Sequence, residues 1–198
     1  MTPPEPHPLP VSCAVAFKEW AGVCRALLDG RQSLILRKGG IDEALGGFRP
    51  EYGAFWLYPT RVHQAQQGLK PSVAGGVEDD SDSSAGVVEI LGLAVVEQIG
   101  RVDRPERLAR LESLHVWTAD TVEKRFHYRT PGLYVLGVRV YRRPLAWRVN
   151  VTPEHVGCKT WVPLGEGLDT IGLTPALDVA THEDMMKTLK AALGAGED

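Results

Sequence analysis

Between Ala14 and Ile41 the chain reads AVAFKEWAGVCRALLDGRQSLILRKGGI, and this stretch constrains the fold more than any other. Phe17, Trp20, Ala21, Cys24, Leu27 and Leu28 recur at helical spacing and form one apolar stripe, with Lys18, Glu19 and Arg25 off it. Ser12 stands where an N-cap would open that helix. Gly30 supplies its stop, because glycine enters the left-handed C′ conformation cheaply. Ser33–Arg37 then reads as a buried strand, and Lys38-Gly39-Gly40 as the turn after it. A one-faced helix followed at once by an apolar strand has to be covered by the rest of the chain.

The rest is large enough to do so. With 198 residues, 43% of them apolar and 24% charged, the composition is that of one globular domain with tails, able to bury a core without disulfides or metal. Residues 1–11 carry five prolines and read as an extended arm, 12–194 as the domain, 65–86 as a mobile acidic loop, and 195–198 as a tail. Cys13 and Cys24, eleven residues apart on one helix, would stand roughly 16 Å apart, too far to bridge. The three cysteines therefore read as reduced thiols of a cytoplasmic protein. No run of eighteen apolar residues suggests a membrane span, and MTPPEPHPLP lacks the pattern of a signal peptide.

Further along, Ala54–Tyr58 and Val87–Ile99 read as strands, the second long, apolar and bulged near Gly92. Asp103 and Glu106 form a capping-box pattern before Leu108, Leu111 and Leu114, and Thr118 can cap a helix that pairs Val122 with Phe126. Leu133–Tyr141, Trp147–Val151 and Cys158–Leu164 read as strands, and Thr181 as the cap of a last helix facing Met185, Met186, Leu189 and Leu193 inward. Short strands between glycine and proline turns, without regular alternation with helices, predict an α+β fold: a small curved mixed β-sheet or barrel with helices packed outside.

Familiar catalytic signatures are missing. There is no G-x-S-x-G, Walker-type or dinucleotide glycine motif, and no H-E-x-x-H or C-x-x-C pair. His155-x-x-Cys158 alone makes a poor zinc site, so no metal or cofactor is expected. The net charge of −3 hides an uneven distribution: Arg101–Arg148 holds eleven Lys/Arg against five Asp/Glu. Trp56, Trp117 and Trp161 stand near polar donors, among them His63, His115 and Lys159, in the manner of residues that stack on bases while cations hold phosphate. Arg139, on an otherwise apolar strand, either pairs with a buried carboxylate such as Glu89 or lines a pocket.

The motifs FKEW, LRKGGI, FWLYPTRVHQ, HVWT with RF after it, VRVYR and GCKTW resemble an uncharacterised bacterial domain-of-unknown-function family, number 1802. The resemblance spans Phe17–Leu164 and marks Lys18, Glu19, Trp20, Arg37, Lys38, Trp56, His63, His115, Trp117, Arg125, Arg139, Lys159 and Trp161 as motif residues, with no catalytic role attached. It implies a place in restriction–modification or defence, beside a restriction-endonuclease-like protein. More distantly, the early helix and glycine-to-arginine strand, with the terminal Pro175, Leu177 and Met185, are similar to PUA-like domains, which implies a small barrel that reads nucleic acid.

The function expected from these features is a non-catalytic module for DNA or RNA, with a modified or flipped base as ligand. Arg37, Lys38, Arg125, Arg139 and Lys159 would contact phosphate or a base edge, Trp56, Trp117 and Trp161 would stack, and His63 and His115 would hydrogen-bond the ligand. A small hydrolase acting on a nucleotide-like substrate and a protein-interaction subunit are the alternatives.

Overall fold

A computed structural model describes residues 9–38, 52–60, 68–71, 86–157 and 159–194. Seven strands form one mixed sheet: β1 (Ser12–Trp20), β2 (Leu34–Arg37), β3 (Ala54–Thr60), β4 (Val87–Val102), β5 (Leu133–Asn150), β6 (Trp161–Asp169) and β7 (Thr174–Pro175). Their order is β2-β5-β4-β3-β1-β6, with β7 also paired to β5. Among the described residues only β1 and β3 run parallel, in the register Phe17↔Leu57, and the other pairs are antiparallel. The helices are α1 (Ala21–Leu28), α2 (Leu108–Leu111), α3 (Ala119–His127) and α4 (Val179–Leu193). This is the α+β architecture expected, and its core is built on the fully buried Trp56, Trp117, Phe17, Phe55 and Phe126.

The first helix is shorter than its stripe predicts. Ser12–Trp20 is a strand, and the helix starts only at Ala21, with Trp20 extended at its N-cap (φ −59°, ψ 138°) and no side-chain cap. Two periodicities overlap in this segment. Phe17 and Trp20 fit a helical stripe, but Cys13, Val15, Phe17 and Glu19 also alternate at period two, and all four are buried. Pairing settles the choice: β1 lies between β3 and β6, so both edges of its backbone find ladder partners. The predicted stop holds. Gly30 is left-handed (φ 71°), its N–H donates to Leu27 O, and Arg31 N–H donates to Ala26 O at 2.8 Å, the two bonds of a Schellman motif.

Strands β4 and β5 make the longest ladder. Leu133–Tyr141 and Trp147–Val151, expected as separate strands, are one strand to Asn150, with β5 looping out between Arg142 and Trp147 opposite the irregularity beside Gly92. A second irregularity inserts Glu97 between Val96↔Val138 and Gln98↔Gly137, a β-bulge that re-aims its carboxylate. The expected Asp103 box does not form: Pro105–Arg107 and Glu112–Leu114 are 3-10 turns flanking the single turn of α2. Thr118 does cap α3, accepting from Thr121 N–H, whereas α4 is capped by Asp178, one turn before Thr181 completes it.

Helix α4 packs on the β4–β5 face through two glycines. A Cβ on Gly137 would meet Leu189 at 2.8 Å, and one on Gly100 would meet Leu193 at 2.6 Å. At the far side the sheet curls until its edges meet: Arg37, last residue of edge strand β2, donates from Nη2 to Oγ1 of Thr160, the residue before edge strand β6, at 2.7 Å. Substituting Gly137→Val should force α4 off the sheet and lower unfolding free energy by about 1–3 kcal/mol, read in urea denaturation. An unchanged midpoint would show that the helix does not depend on this close approach.

Candidate nucleic-acid interface

The curl gathers charged and aromatic side chains at the ends of β1, β2 and β3. Arg37 leaves β2 with its guanidinium carbon 4.8 Å above the Phe17 ring. Arg125, in the last turn of α3, sits 4.2 Å from the Trp20 ring centroid and 5.4 Å from that of Trp117. Guanidinium groups are weakly hydrated and lie well on aromatic faces. Among the described residues Arg125 donates no hydrogen bond, so its planar fork is held by indoles rather than by acceptors.

Glu19 supplies the counter-charge. It is 3% exposed at the end of β1. Its Oε1 accepts from Trp20 N–H at 2.8 Å, and its backbone carbonyl accepts from Thr60 Oγ1. Its Oε2 is buried without a hydrogen-bond partner. Burial pulls the Arg125 pKa down; the Glu19 carboxylate pulls it back up and the Arg37 guanidinium pushes it down again. Two guanidinium groups and one carboxylate thus share a partly dehydrated space, with Arg37, Trp20, Thr60, Arg125 and Thr160 all half-buried around it.

The other expected site residues lie in different surroundings. Lys38 turns back to α3, donating to the carbonyls of Phe126 (2.7 Å), Gly132 (2.9 Å) and Thr130, so its ammonium protons hold the end of that helix. Trp56 is fully buried and donates Nε1–H to Cys13 O at 3.0 Å. Trp161 is half-buried, edge-on to Phe17 and Phe55 at 4.9 and 5.3 Å and to Tyr52 at 5.2 Å. Lys159 is exposed beside Thr160. His63 and Cys158 lie outside the described residues. His155 is committed within the fold: Nδ1 accepts from Thr152 N–H and Nε2 pairs with Pro163 O at 2.9 Å. Among the described residues no three metal-ligating side chains gather.

Arg139 pairs with Glu97 rather than Glu89. Its Nε donates to Glu97 Oε1 at 2.6 Å, and Glu97 Oε2 meets His182 Nε2 at 2.8 Å. Around them Leu27, Ser33, Val140, Ala176 and Leu177 line a shallow surface depression. The carboxylate pairing ties α4 to the β4 bulge. Burial raises the Glu97 pKa, but the hydrogen bonds from His182 and Arg139 outweigh it and hold the carboxyl at about 2.

His115 is buried beside Trp117, their ring centroids 5.7 Å apart, and among the described residues neither ring nitrogen has a hydrogen-bond partner. Burial, and then Lys70, lower its pKa to about 4. Glu112 opposes this from 3.9 Å, but it is half-exposed and already bonded to Lys70 at 2.9 Å, so burial wins. His115 is thus a neutral residue of the fold near neutral pH.

Two of the most informative side chains, Glu19 and Trp20, stand among the motif residues but read from the sequence as the polar flank and core stripe of a helix. The signal that could have exposed them is the period-two alternation through Glu19, which puts an acid on the buried face of a strand.

Two pH windows follow. Between pH 6.5 and about 4 the unfolded chain binds a proton at His115 that the folded chain refuses, so stability falls with falling pH by up to about 3 kcal/mol. His115→Phe should flatten urea-derived stability in that window. Glu97 acts lower: its depressed pKa gives stability that is fully present above about 4.5 and lost as pH falls towards about 2. Glu97→Gln should abolish that second loss while leaving the first; identical profiles for wild type and variant would exclude this role.

Comparison with solved structures finds the ASCH protein from Zymomonas mobilis, at 12% identity over 89% of this chain and 93% of that one, with a TM-score of 0.42. A point mutant of the same protein aligns at 13% identity over 90% and 98%, with a TM-score of 0.41. Likeness at that level carries no argument about ligand or reaction. No curated protein sequence matches significantly. The family model described as Domain of unknown function (DUF1802) matches residues 16–188, which include Glu19, Arg37, Trp117, Arg125 and Arg139, and the chain belongs to that family.

Proposed function

We propose that the chain is a nucleic-acid-binding module, and that the cluster of Arg37, Arg125, Glu19, Trp20 and Trp117 is its ligand site. The observation that carries this reading is the Arg125 guanidinium, seated on the Trp20 and Trp117 rings with its donors uncommitted among the described residues. A guanidinium so held is oriented before a ligand arrives and loses little freedom in binding. Its fork matches the paired acceptors of a phosphate or a base edge. Arg37 adds a second positive charge, and the cluster carries one net positive charge after Glu19 is counted. Trp20 and Trp161, both half-buried, offer apolar faces to an unstacked base, and exposed Lys159 adds a cation near Thr160. Single-stranded or flipped-out nucleotides suit such a cluster better than intact duplex, whose bases are already stacked.

Fluorescence anisotropy with labelled single-stranded DNA and RNA at low salt tests the proposal. Binding should weaken as salt rises, with a slope of about −0.7 per phosphate contacted. Arg37→Ala and Arg125→Lys should each cost about tenfold in affinity, while circular dichroism reports an intact fold. Flat titrations with every strand would exclude the reading.

A further inference from the structure

Beyond Arg125 the chain makes a turn that the cluster above does not use. Its residues His127, Tyr128, Arg129, Thr130 and Pro131 are all exposed. The turn is closed at its base, where Gly132 N–H donates to Phe126 O at 3.1 Å. Lys38 ties its carbonyls together from the β2 side, at Phe126, Thr130 and Gly132, and Arg101 Nη2 donates to Pro131 O at 3.5 Å. Backbone groups therefore fix the turn, and among the described residues the side chains of Tyr128 and Arg129 make no hydrogen bond within it. Arg129 is the one non-glycine residue in the left-handed region among the described residues, with φ 57°. A Cβ is strained there, and glycine would make the same turn without that strain. What arginine adds is its side chain, whose guanidinium carbon stands 5.1 Å from the centroid of the Tyr128 ring. That ring is 57% exposed, so it contributes little to the core. Strain at a single residue is found where its side chain serves a site.

We infer that Tyr128 and Arg129 are a second contact for single-stranded nucleic acid, next along the strand from the Arg37–Arg125 cluster. This rests on the nucleic-acid reading above and extends its site. The two places are continuous: Tyr128 N–H donates to Arg125 O at 3.3 Å, and Lys38, which holds the turn, follows Arg37 in the chain. An unstacked base lies well on a tyrosine ring or on a guanidinium plane, and a guanidinium also pairs with phosphate. Charge favours the same partner. Residues 127–132 carry no acid, and Lys38 and Arg101 add their charges to that of Arg129. The acids of α3, Asp120 and Glu123, stand a turn or more earlier, and Asp120 is paired with Lys124 at 2.7 Å. A turn fixed before the ligand arrives loses little freedom on binding. Intact duplex, whose base faces cover one another, offers the exposed ring nothing to stack on.

The experiment measures anisotropy of labelled single strands of about twelve nucleotides, with urea denaturation of the same variants. Arg129→Gly should weaken binding about threefold to tenfold and make the salt slope shallower by about 0.7, the share of one phosphate contact. Its urea midpoint should stay at or above that of the wild type, because the left-handed strain is gone. Tyr128→Ala should weaken binding about fivefold or more, the loss of one stacked base, and leave the salt slope unchanged. A lower urea midpoint for Arg129→Gly with unchanged binding assigns the arginine to the fold and overturns the inference. Wild-type affinity in both variants, where Arg37→Ala still weakens binding, also overturns it and leaves the nucleic-acid reading in place. Failure of every strand to bind the wild type removes that reading, and this inference with it.

Discussion

Strand β1 is hydrogen-bonded along both edges, to β3 on one side and β6 on the other, and much of the molecule depends on that double pairing. A strand held between two neighbours has no solvent edge, and its alternate residues Cys13, Val15, Phe17 and Glu19 are buried. Glu19 is the consequence: an acid that a helix would have turned towards water is instead 3% exposed. The chain then passes directly from Trp20 into α1, with the Trp20 N–H bound to the Glu19 carboxylate and the Trp20 ring under Arg125.

The curl of the sheet supplies the cations. In the hydrogen-bonding order β2 and β6 are the two ends, yet Arg37 reaches Thr160 across the gap. Twist accumulated over six strands brings those edges together, and the residue that bridges them carries its charge into the same space as Glu19. Arg125 arrives from outside the sheet, on a helix whose end is pinned by Lys38. Two basic residues adjacent in sequence thus do different work: Arg37 faces the cluster, and Lys38 fixes the helix that delivers Arg125.

Much of this was legible in the residues. The Gly30 stop, the Thr118 cap, the β2 strand and the inward leucines of α4 follow from local chemistry that tertiary packing had no reason to overrule. The Ser12–Trp20 segment was not legible, because two periodicities fit it and the winner depends on partners forty and more than a hundred and forty residues away. The candidate site was readable in part. Arg37 and Arg125 come together, while Trp56, Trp117 and His115 are buried in the fold, Trp117 meeting Arg125 from the core, since a tryptophan beside polar neighbours has the same sequence appearance in a core as in a pocket.

The sequence by itself determined the class of fold and the inventory of charges and aromatics, through glycine stops, caps and the alternation of apolar residues. Tertiary structure alone decided which of those groups share a space. Arg139 shows the difference: its isolation on an apolar strand called for a carboxylate such as Glu89 or a pocket, and beside a one-residue bulge its partner is Glu97. Such choices turn on register, and register is set by pairing between distant segments.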